Sequence, residues 1–370
     1  MLDTGIQLQL LIGATVPGPA PFDVADALSS VEVTNRDSGR DGFQMTFTLG
    51  RDSPRDYGLL ANNYFEPPTR VILIVRVGVL PQVLIDGIIT NHQLAPSNTP
   101  GASSLVVTGE DISLRLDLKE KSKTFKNQSD SEIVETILRD YLTYGLKPEV
   151  TTTDTRRQEN DGNTTQQDTD LAFIQKLASR NGFVFYVEPT AVPAFTTAHW
   201  GSQNDQRPTQ PALNMNMGPD TNLESLSFGF DALGPATPEI SVLEPLSKRL
   251  LPISVPGQLR APLASQPALS LRKTIPRDTA NKDAAQAGVQ ARSLTTSSTD
   301  AVTASGELDA VRYGRVLRAR HLVDVRGVGK SYDGSYYVKQ VTHRLKRGEY
   351  KQSFSLSREG HGALSPVVVT

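Results

Sequence analysis

The sequence predicts a mainly β protein with α/β insertions (α+β), on three observations. Short β-rich runs broken by Pro, Gly, Asn and Asp recur from residue 1 to about 118 and again after residue 300. Between them, two stretches switch to the helical period. The apolar fraction is 38%, below the roughly 45–50% of ordinary globular domains. That suits long polar loops, or a core completed by partner subunits.

Leu8–Ile12, Val31–Thr34, Phe43–Leu49, Val71–Val79, Val83–His92 and Ser104–Thr108 read as strands. Phe43, Met45, Phe47 and Leu49 alternate with Gln44, Thr46 and Thr48, which predicts a strand with one wet face. Residues 1–118 thus form a first β domain, a small barrel or sandwich. An α/β module follows over 119–190. In Asp130–Gly145, Ile133, Ile137, Leu138 and Tyr141 share a helical face; Ser129 or Asp130 caps it and Gly145 ends it. Thr151–Gln166 reads as a polar loop. Asp168–Gly182 is a second amphipathic helix striped by Leu171, Ile174, Leu177 and Ala178, with Phe173 beside it. The Phe183–Val187 strand completes the module.

Ala191–Pro219 reads as irregular, and Leu223–Phe230 and Glu239–Leu243 as strands. Pro252–Pro276 reads as an extended connector and Thr279–Arg292 as helix-prone, with Ser293–Thr299 breaking it; the connector with its short helix is set at 256–299. Val302–Leu308, Gly314–Ala319, His321–Gly327, Gly334–Arg344 and Tyr350–Ser357 are again β-rich. Residues 191–255 and 300–360 therefore make a discontinuous second β domain, with 361–370 as a tail.

Composition excludes several functions. Lys and Arg number 38 against 40 Asp and Glu, for a net charge of −2, so no global basic field for nucleic acid exists. The absence of cysteine removes disulfides and thiolate metal sites. The N-terminus lacks a basic region and cleavage site, so no signal peptide is expected, and no apolar run is long enough to span a bilayer. His92, His199, His321, His343 and His361 are scattered without metal-binding spacing, so no metal, cofactor or catalytic residue is assigned. His343 is expected to be a strand residue with a satisfied ring nitrogen.

Two acidic pairs, Glu110–Asp111 and Asp168 to Asp170, raise a glycosidase reading, which needs two carboxylates in a cleft. Asp168 and Asp170 read instead as first-turn helix residues. Arg312, Arg315, Arg318, Arg320 and Arg326, with Lys339, Arg344, Lys346 and Arg347 nearby, read as a solvated face or subunit interface rather than a nucleic-acid site.

Three motifs in order resemble the phage late control protein D family, which includes VgrG-type spike proteins and tailed-phage baseplate hubs. The first is Ser131-Glu132-Ile133-Val134 to Tyr144-Gly145-Leu146. The second runs from Asp168 and Asp170 through Phe173, Leu177 and Gly182 to Phe185 and Tyr186. The third holds Tyr332, Gly334, Tyr336, Tyr337 and Val338, then Gly348, Tyr350 and Phe354. The resemblance implies two tail-tube-like β-barrels joined by the module, and a homotrimer whose six barrels adapt a six-fold inner tube to a three-fold spike around an axial channel. The motif residues would then be structural or interface residues. No glycine-rich β-helix repeat follows the last motif, so the resemblance implies a separate spike protein. It further implies an inner tube or tube-initiator protein, baseplate wedge proteins and an optional cargo effector as partners, with assembly in the bacterial cytoplasm into a phage-tail-like particle. Two other readings stay open: a baseplate-associated peptidoglycan hydrolase, and a β-sandwich carbohydrate- or receptor-binding module.

Overall fold

A computed structural model of the chain describes residues 5–364, except 51–56, 79, 100, 154–163, 204–208, 244–249, 254–260, 276–287, 289–294 and 296–298. The first β half holds β1 (Ile6–Gly13), β2 (Gly18–Pro19), β3 (Leu28–Arg36), β4 (Gly42–Leu49), β5 (Arg70–Val77), β6 (Leu80–Ala95) and β7 (Ser103–Asp111), with the short helices α1 (Phe22–Ala27) and α2 (Gly58–Ala61) between strands. The second holds β13 (Gln210–Asn214), β14 (Leu223–Phe230), β20 (Val302–Asp309), β21 (Leu322–Arg326), β22 (Gly334–Lys346) and β23 (Glu349–Arg358). The alternation that predicts β4 is realised: Phe43, Met45, Phe47 and Leu49 are buried, and Gln44 and Thr48 face out.

The two halves are hydrogen-bonded to each other. One ladder runs β14-β20-β23-β22-β3-β4-β7-β6-β5-β1-β2, with β13 and β21 branching at β22. The join is antiparallel, from Gln340 opposite Arg36 to Lys346 opposite Ser30. One apolar cluster spans it, from Val33, Phe47, Leu73 and Val107 to Tyr336, Val341, Phe354 and Leu356. Each such side chain contributes roughly 1.5–3 kcal/mol by leaving water.

The α/β module has its own core. After a 3₁₀ helix (Ile112–Asp117) come β8 (Lys123–Phe125), α3 (Asp130–Arg139), β9 (Leu146–Val150), β10 (Thr164–Gln166), α4 (Asp170–Asn181), β11 (Val184–Pro189) and β12 (Thr196–Gly201). Ser129 caps α3 in a reciprocal box: its Oγ accepts from Glu132 N, while Glu132 Oε2 accepts from Ser129 N at 2.9 Å. Gly145 follows a 3₁₀ turn at φ 82, where a Cβ would stand 2.0 Å from the Ala194 carbonyl oxygen; no other residue fits. Ile133, Ile137, Leu138, Leu171, Phe173, Ile174, Leu177, Phe185 and Trp200 fill the core between helices and sheet.

Several segments differ from the sequence reading. The 191–219 stretch carries β12 and β13; β12 lies between β11 and β9, so the module's sheet continues past residue 190. Its Thr-Thr-Ala-His-Trp-Gly is too short and polar to stand out, yet Trp200 buries itself under α4 and donates from Nε1 to the Ile174 carbonyl (3.3 Å). Thr164–Gln166, read as loop, pairs with β8. Gly314–Ala319 is not a strand. Its buried Leu317 and half-buried Arg318 exchange backbone hydrogen bonds with the side-chain amides of Gln352 and Gln210 (2.8–3.0 Å), which replace a neighbouring strand. The 252–276 connector holds short strands: β15 (Ala236–Pro238) and β16 (Ile240–Leu243) precede it, β17 (Leu250–Ile253) enters it, and β18 (Gln266–Pro267) and β19 (Arg272–Thr274) lie within. The helix expected over 279–292 falls almost wholly outside the described residues. The first residues of the expected tail are tied down: β24 (Gly360–His361) pairs with β18, and Gly362 N donates to the Ser331 carbonyl (3.0 Å).

Candidate functional site: a buried ionic seam joining three parts of the chain

The most connected polar site lies where the two β halves and the module meet. Asp41 sits in the turn before β4, and its N–H donates to Asp111 Oδ2 at 2.6 Å. Asp111, at the end of β7, also caps the 3₁₀ helix by accepting from Ser113 N (2.9 Å). Arg320 arrives from the second half just before β21. Its Nη2 donates to Asp41 Oδ1 (2.7 Å), Nε to the Arg36 carbonyl (2.7 Å) and Nη1 to the Val187 carbonyl of β11 (3.0 Å). Its guanidinium lies 4.4 Å from the centre of the Tyr186 ring. One side chain thereby touches β3, β4's entry turn and the module. Arg320 and Asp41 are 3% and 1% exposed, so each charge depends on the other.

The seam extends through neutral groups. Asn35 Nδ2 donates to Asp41 Oδ2 (2.9 Å), and its Oδ1 lies 2.9 Å from His343 Nε2. His343 Nδ1 lies 2.8 Å from the Tyr350 hydroxyl and 3.1 Å from Gln352 Nε2. Gln352 Nε2 can only donate and Asn35 Oδ1 only accept, so the network places the ring proton on Nε2. Burial, helped by the charge of Arg318, lowers the His343 pKa to about 3. Burial and the charge of Asp41 push Asp111 up to about 7, against the pull of its N–H donors. Burial also raises Asp41, opposed by Arg320.

A second buried pair binds the module to the first half alone. Arg70 on β5 holds Asp86 on β6 through two parallel bonds (Nε–Oδ1 2.7 Å, Nη2–Oδ2 2.6 Å). Nη2 also reaches the Ala194 carbonyl (3.1 Å) and Nη1 the Thr15 carbonyl (3.2 Å), while Thr196 Oγ1 donates to Asp86 Oδ2 (3.3 Å).

The residues singled out by sequence fall into two groups. In the module, Asp170 begins α4, but Asp168 lies before the Thr169 cap and outside the first turn. Asp170 is buried and accepts from Lys121 Nζ (2.6 Å), the Tyr141 hydroxyl (2.7 Å) and Gln166 Nε2 (2.7 Å), so its role exceeds a helix-dipole contact. Phe173 stacks on Phe125, 5.8 Å between centroids, and Leu177 and Phe185 pack beside it. Gly182 ends α4. Tyr186 leaves this group for the seam. In the second half, Tyr336, Tyr337, Val338, Tyr350 and Phe354 are buried strand residues. Tyr332 packs on Phe228 and accepts the Tyr336 hydroxyl at its carbonyl (2.7 Å); Gly334 starts β22, where a Cβ would crowd Ala363 and Arg358, and Gly348 makes the β22–β23 turn.

The sequence reading missed Asp41, Asn35, Asp86, Arg70 and Gln352, and treated Arg320 as one of five surface arginines. Arg320 is a core residue; its partner Asp41 lies 279 positions away, beyond any local pattern. The other cations largely form surface pairs: Arg344 with Glu32, Arg347 with Asp26, Lys339 with Asp300 and Arg318 with Glu188. The acidic pairs do not converge. Glu110 holds Arg40 (2.9 Å), Asp111 serves the seam and Asp170 the module. No metal-binding cluster of His, Cys, Asp and Glu occurs among the described residues, and no helix there is long and apolar enough to cross a membrane.

Comparison with known proteins gives the fold a context. A family model described as the Alg8 N-terminal domain matches residues 42–204, fewer than half of the chain. No curated protein matches. Among solved structures, a tail protein from Neisseria meningitidis is similar over 96% of this chain and 97% of its own, with a TM-score of 0.66 at 13% identity. A 43 kDa tail protein of prophage MuSo2 from Shewanella oneidensis covers 95% and 97%, with a TM-score of 0.58 at 13% identity. A chain of the Francisella PdpA–VgrG complex covers 99% of this chain, which spans 54% of that one, with a TM-score of 0.61 at 10% identity. The chain thus has the mainly β fold seen in phage tail proteins and in a VgrG complex.

Proposed function

We propose that the chain is a structural baseplate hub of a contractile injection system or phage tail. Three copies surround an axial channel and adapt a six-fold inner tube to a three-fold spike. Residues 1–118 form one tube-like barrel, 210–230 with 300–360 the second, and the α/β module, closed by β12, braces them. Its partners are a spike, an inner tube or tube-initiator protein, baseplate wedge proteins and, in some particles, a cargo effector; assembly occurs in the bacterial cytoplasm. The function is mechanical, and no bond is made or broken.

The observation that carries this reading is the near full-length fold similarity to two tail proteins, at 95–96% of this chain and 97% of each of theirs. Internal construction supports it. The β halves share one ladder through β3 and β22, and buried ion pairs hold the module to it, which suits a subunit that transmits axial load. The engagement of Asp111 and Asp170 in structural hydrogen bonds favours this reading over a cell-wall hydrolase, whose carboxylates must face substrate. The test is sedimentation of the purified chain, alone and with tube and spike proteins from the same particle. A trimer binding both is expected. A monomer at all concentrations, or cleavage of peptidoglycan glycan strands, overturns the proposal.

A further inference from the structure

A receiver for an extended peptide lies just past β23, and the chain's own residues 263–268 fill it. Glu359 is 1% exposed. Its Oε1 accepts from the backbone N–H of Leu263 and of Ala264, the latter at 2.8 Å across 95 positions of sequence. Ala268 N donates to the Glu359 carbonyl (2.9 Å) and Ser265 N to the Gly362 carbonyl (3.1 Å). β18 runs antiparallel to β24, with Gln266 opposite His361 and Pro267 opposite Gly360. The receiver's glycines leave room for this strap: a Cβ on Gly360 would stand 2.1 Å from the Gln266 carbonyl oxygen, and one on Gly362 2.2 Å from Ser265 Oγ. Every polar contact in the set is to backbone, the mode by which a sheet edge takes up an added strand.

Two features of the arm carrying the strap point beyond the single chain. Among the described residues, no strand between Ala236 and Thr274 joins the main ladder: β15 pairs with β19, β16 with β17 and β18 with β24. The arm also leaves Leu269, Leu271 and Ile275 80%, 64% and 75% exposed. Three large apolar side chains within seven residues, all exposed, give this end of the arm apolar surface that its own chain does not bury. An identical receiver exists on every copy and reads only backbone, so a neighbour's strap satisfies it as well as the chain's own. In a ring, each copy can give one strap and receive one.

We propose that residues 263–268 are exchanged between copies: in the assembled hub, the strap of one chain occupies the Glu359–Gly362 receiver of the next, carrying Leu269, Leu271 and Ile275 onto its neighbour. The proposal rests on the self-association above and adds its route. Because the chain has no cysteine, a Gln266→Cys/His361→Cys variant reports the pairing directly. After assembly and oxidation with copper phenanthroline, a non-reducing gel should show most of the chain in covalent oligomers ending at the trimer. Adding Gly360→Ala, which pushes the strap away, should cut that yield about ten-fold. Covalent monomers from a variant that sediments as a trimer overturn the exchange and leave the trimer standing. A monomer by sedimentation overturns both, and absence of any disulfide, or indifference to Gly360→Ala, overturns the receiver itself.

Discussion

The two places where this chain is joined to itself are built differently. Between β3 and β22, the β halves meet through a run of backbone hydrogen bonds with an apolar cluster beneath. The module meets them at β11 and the β11–β12 turn, with Ile88 of β6 in its core and Ala194 packed on Leu11, Ile72 and Val83. Its polar contacts are concentrated in a few side chains, chiefly Arg320 and Arg70. A ladder divides its strength over many equal bonds, so no single side chain governs it. A buried arginine concentrates it: removing one partner leaves an uncompensated charge in a medium that cannot solvate it. The ladder should therefore tolerate substitution, whereas the module joint should fail at single residues.

The largest effect should come from Arg320→Met, which strands Asp41 beside Asp111. A loss of about 3–5 kcal/mol is expected in urea unfolding, and Arg320→Met/Asp41→Asn should recover part of it. If the single variant costs no more than a surface change, the seam does not hold the module to the β halves. Arg70→Met should cost somewhat less, about 3 kcal/mol, because Asp86 keeps the Thr196 hydroxyl. It should also be local: hydrogen exchange should rise in β9, β11 and β12 and stay unchanged in β20, β22 and β23. Uniform exchange through both regions would remove the distinction between the two joints.

His343 tests the ladder from inside. Its folded pKa, lowered by burial to about 3, lies below the ordinary value of 6.5. The unfolded chain therefore binds the proton first as pH falls. The stability that neutral His343 contributes is complete above pH 6.5 and is lost progressively toward pH 3. Asp111 runs the other way: raised from 3.8 to about 7, it favours the folded state at low pH and withdraws that support as pH rises between those values. His343→Gln should remove the acid-side loss, so its urea midpoint should rise relative to wild type as pH drops from 7 to 4. A constant offset across that range would show that His343 does not titrate on unfolding.

What the sequence disclosed follows the same division. Local periods depend on neighbours two to four positions apart, so β4, α3 and α4 were readable from Phe43, Met45 and Phe47 and from Ile133, Ile137 and Leu138. The buried seam joins Asp41 to Arg320 and Asn35 to His343, partners 279 and 308 positions apart, and nothing local distinguishes Arg320 from Arg326. Gly314–Ala319 shows the converse: its residues look like a strand, but Gln210 and Gln352 supply the hydrogen bonds that a strand would have made. His343 was readable as a satisfied strand histidine because its β-rich surroundings are local, although its partners are not.

Arg344 should carry the smallest effect. It lies on β22 in the same ladder as His343, one position away, and its side chain points outward to Glu32 on β3 at 3.3 Å. Both members are about half exposed, so water and salt screen their attraction, and ordering two long side chains offsets much of the remainder. Arg344→Ala should change stability by less than about 1 kcal/mol, and the small difference should vanish in 0.5 M salt. The β3–β22 pairing needs only the backbone of residue 344, which alanine keeps. A large loss would mean that cross-strand charges hold the ladder together, and the contrast with the module's buried arginines would collapse.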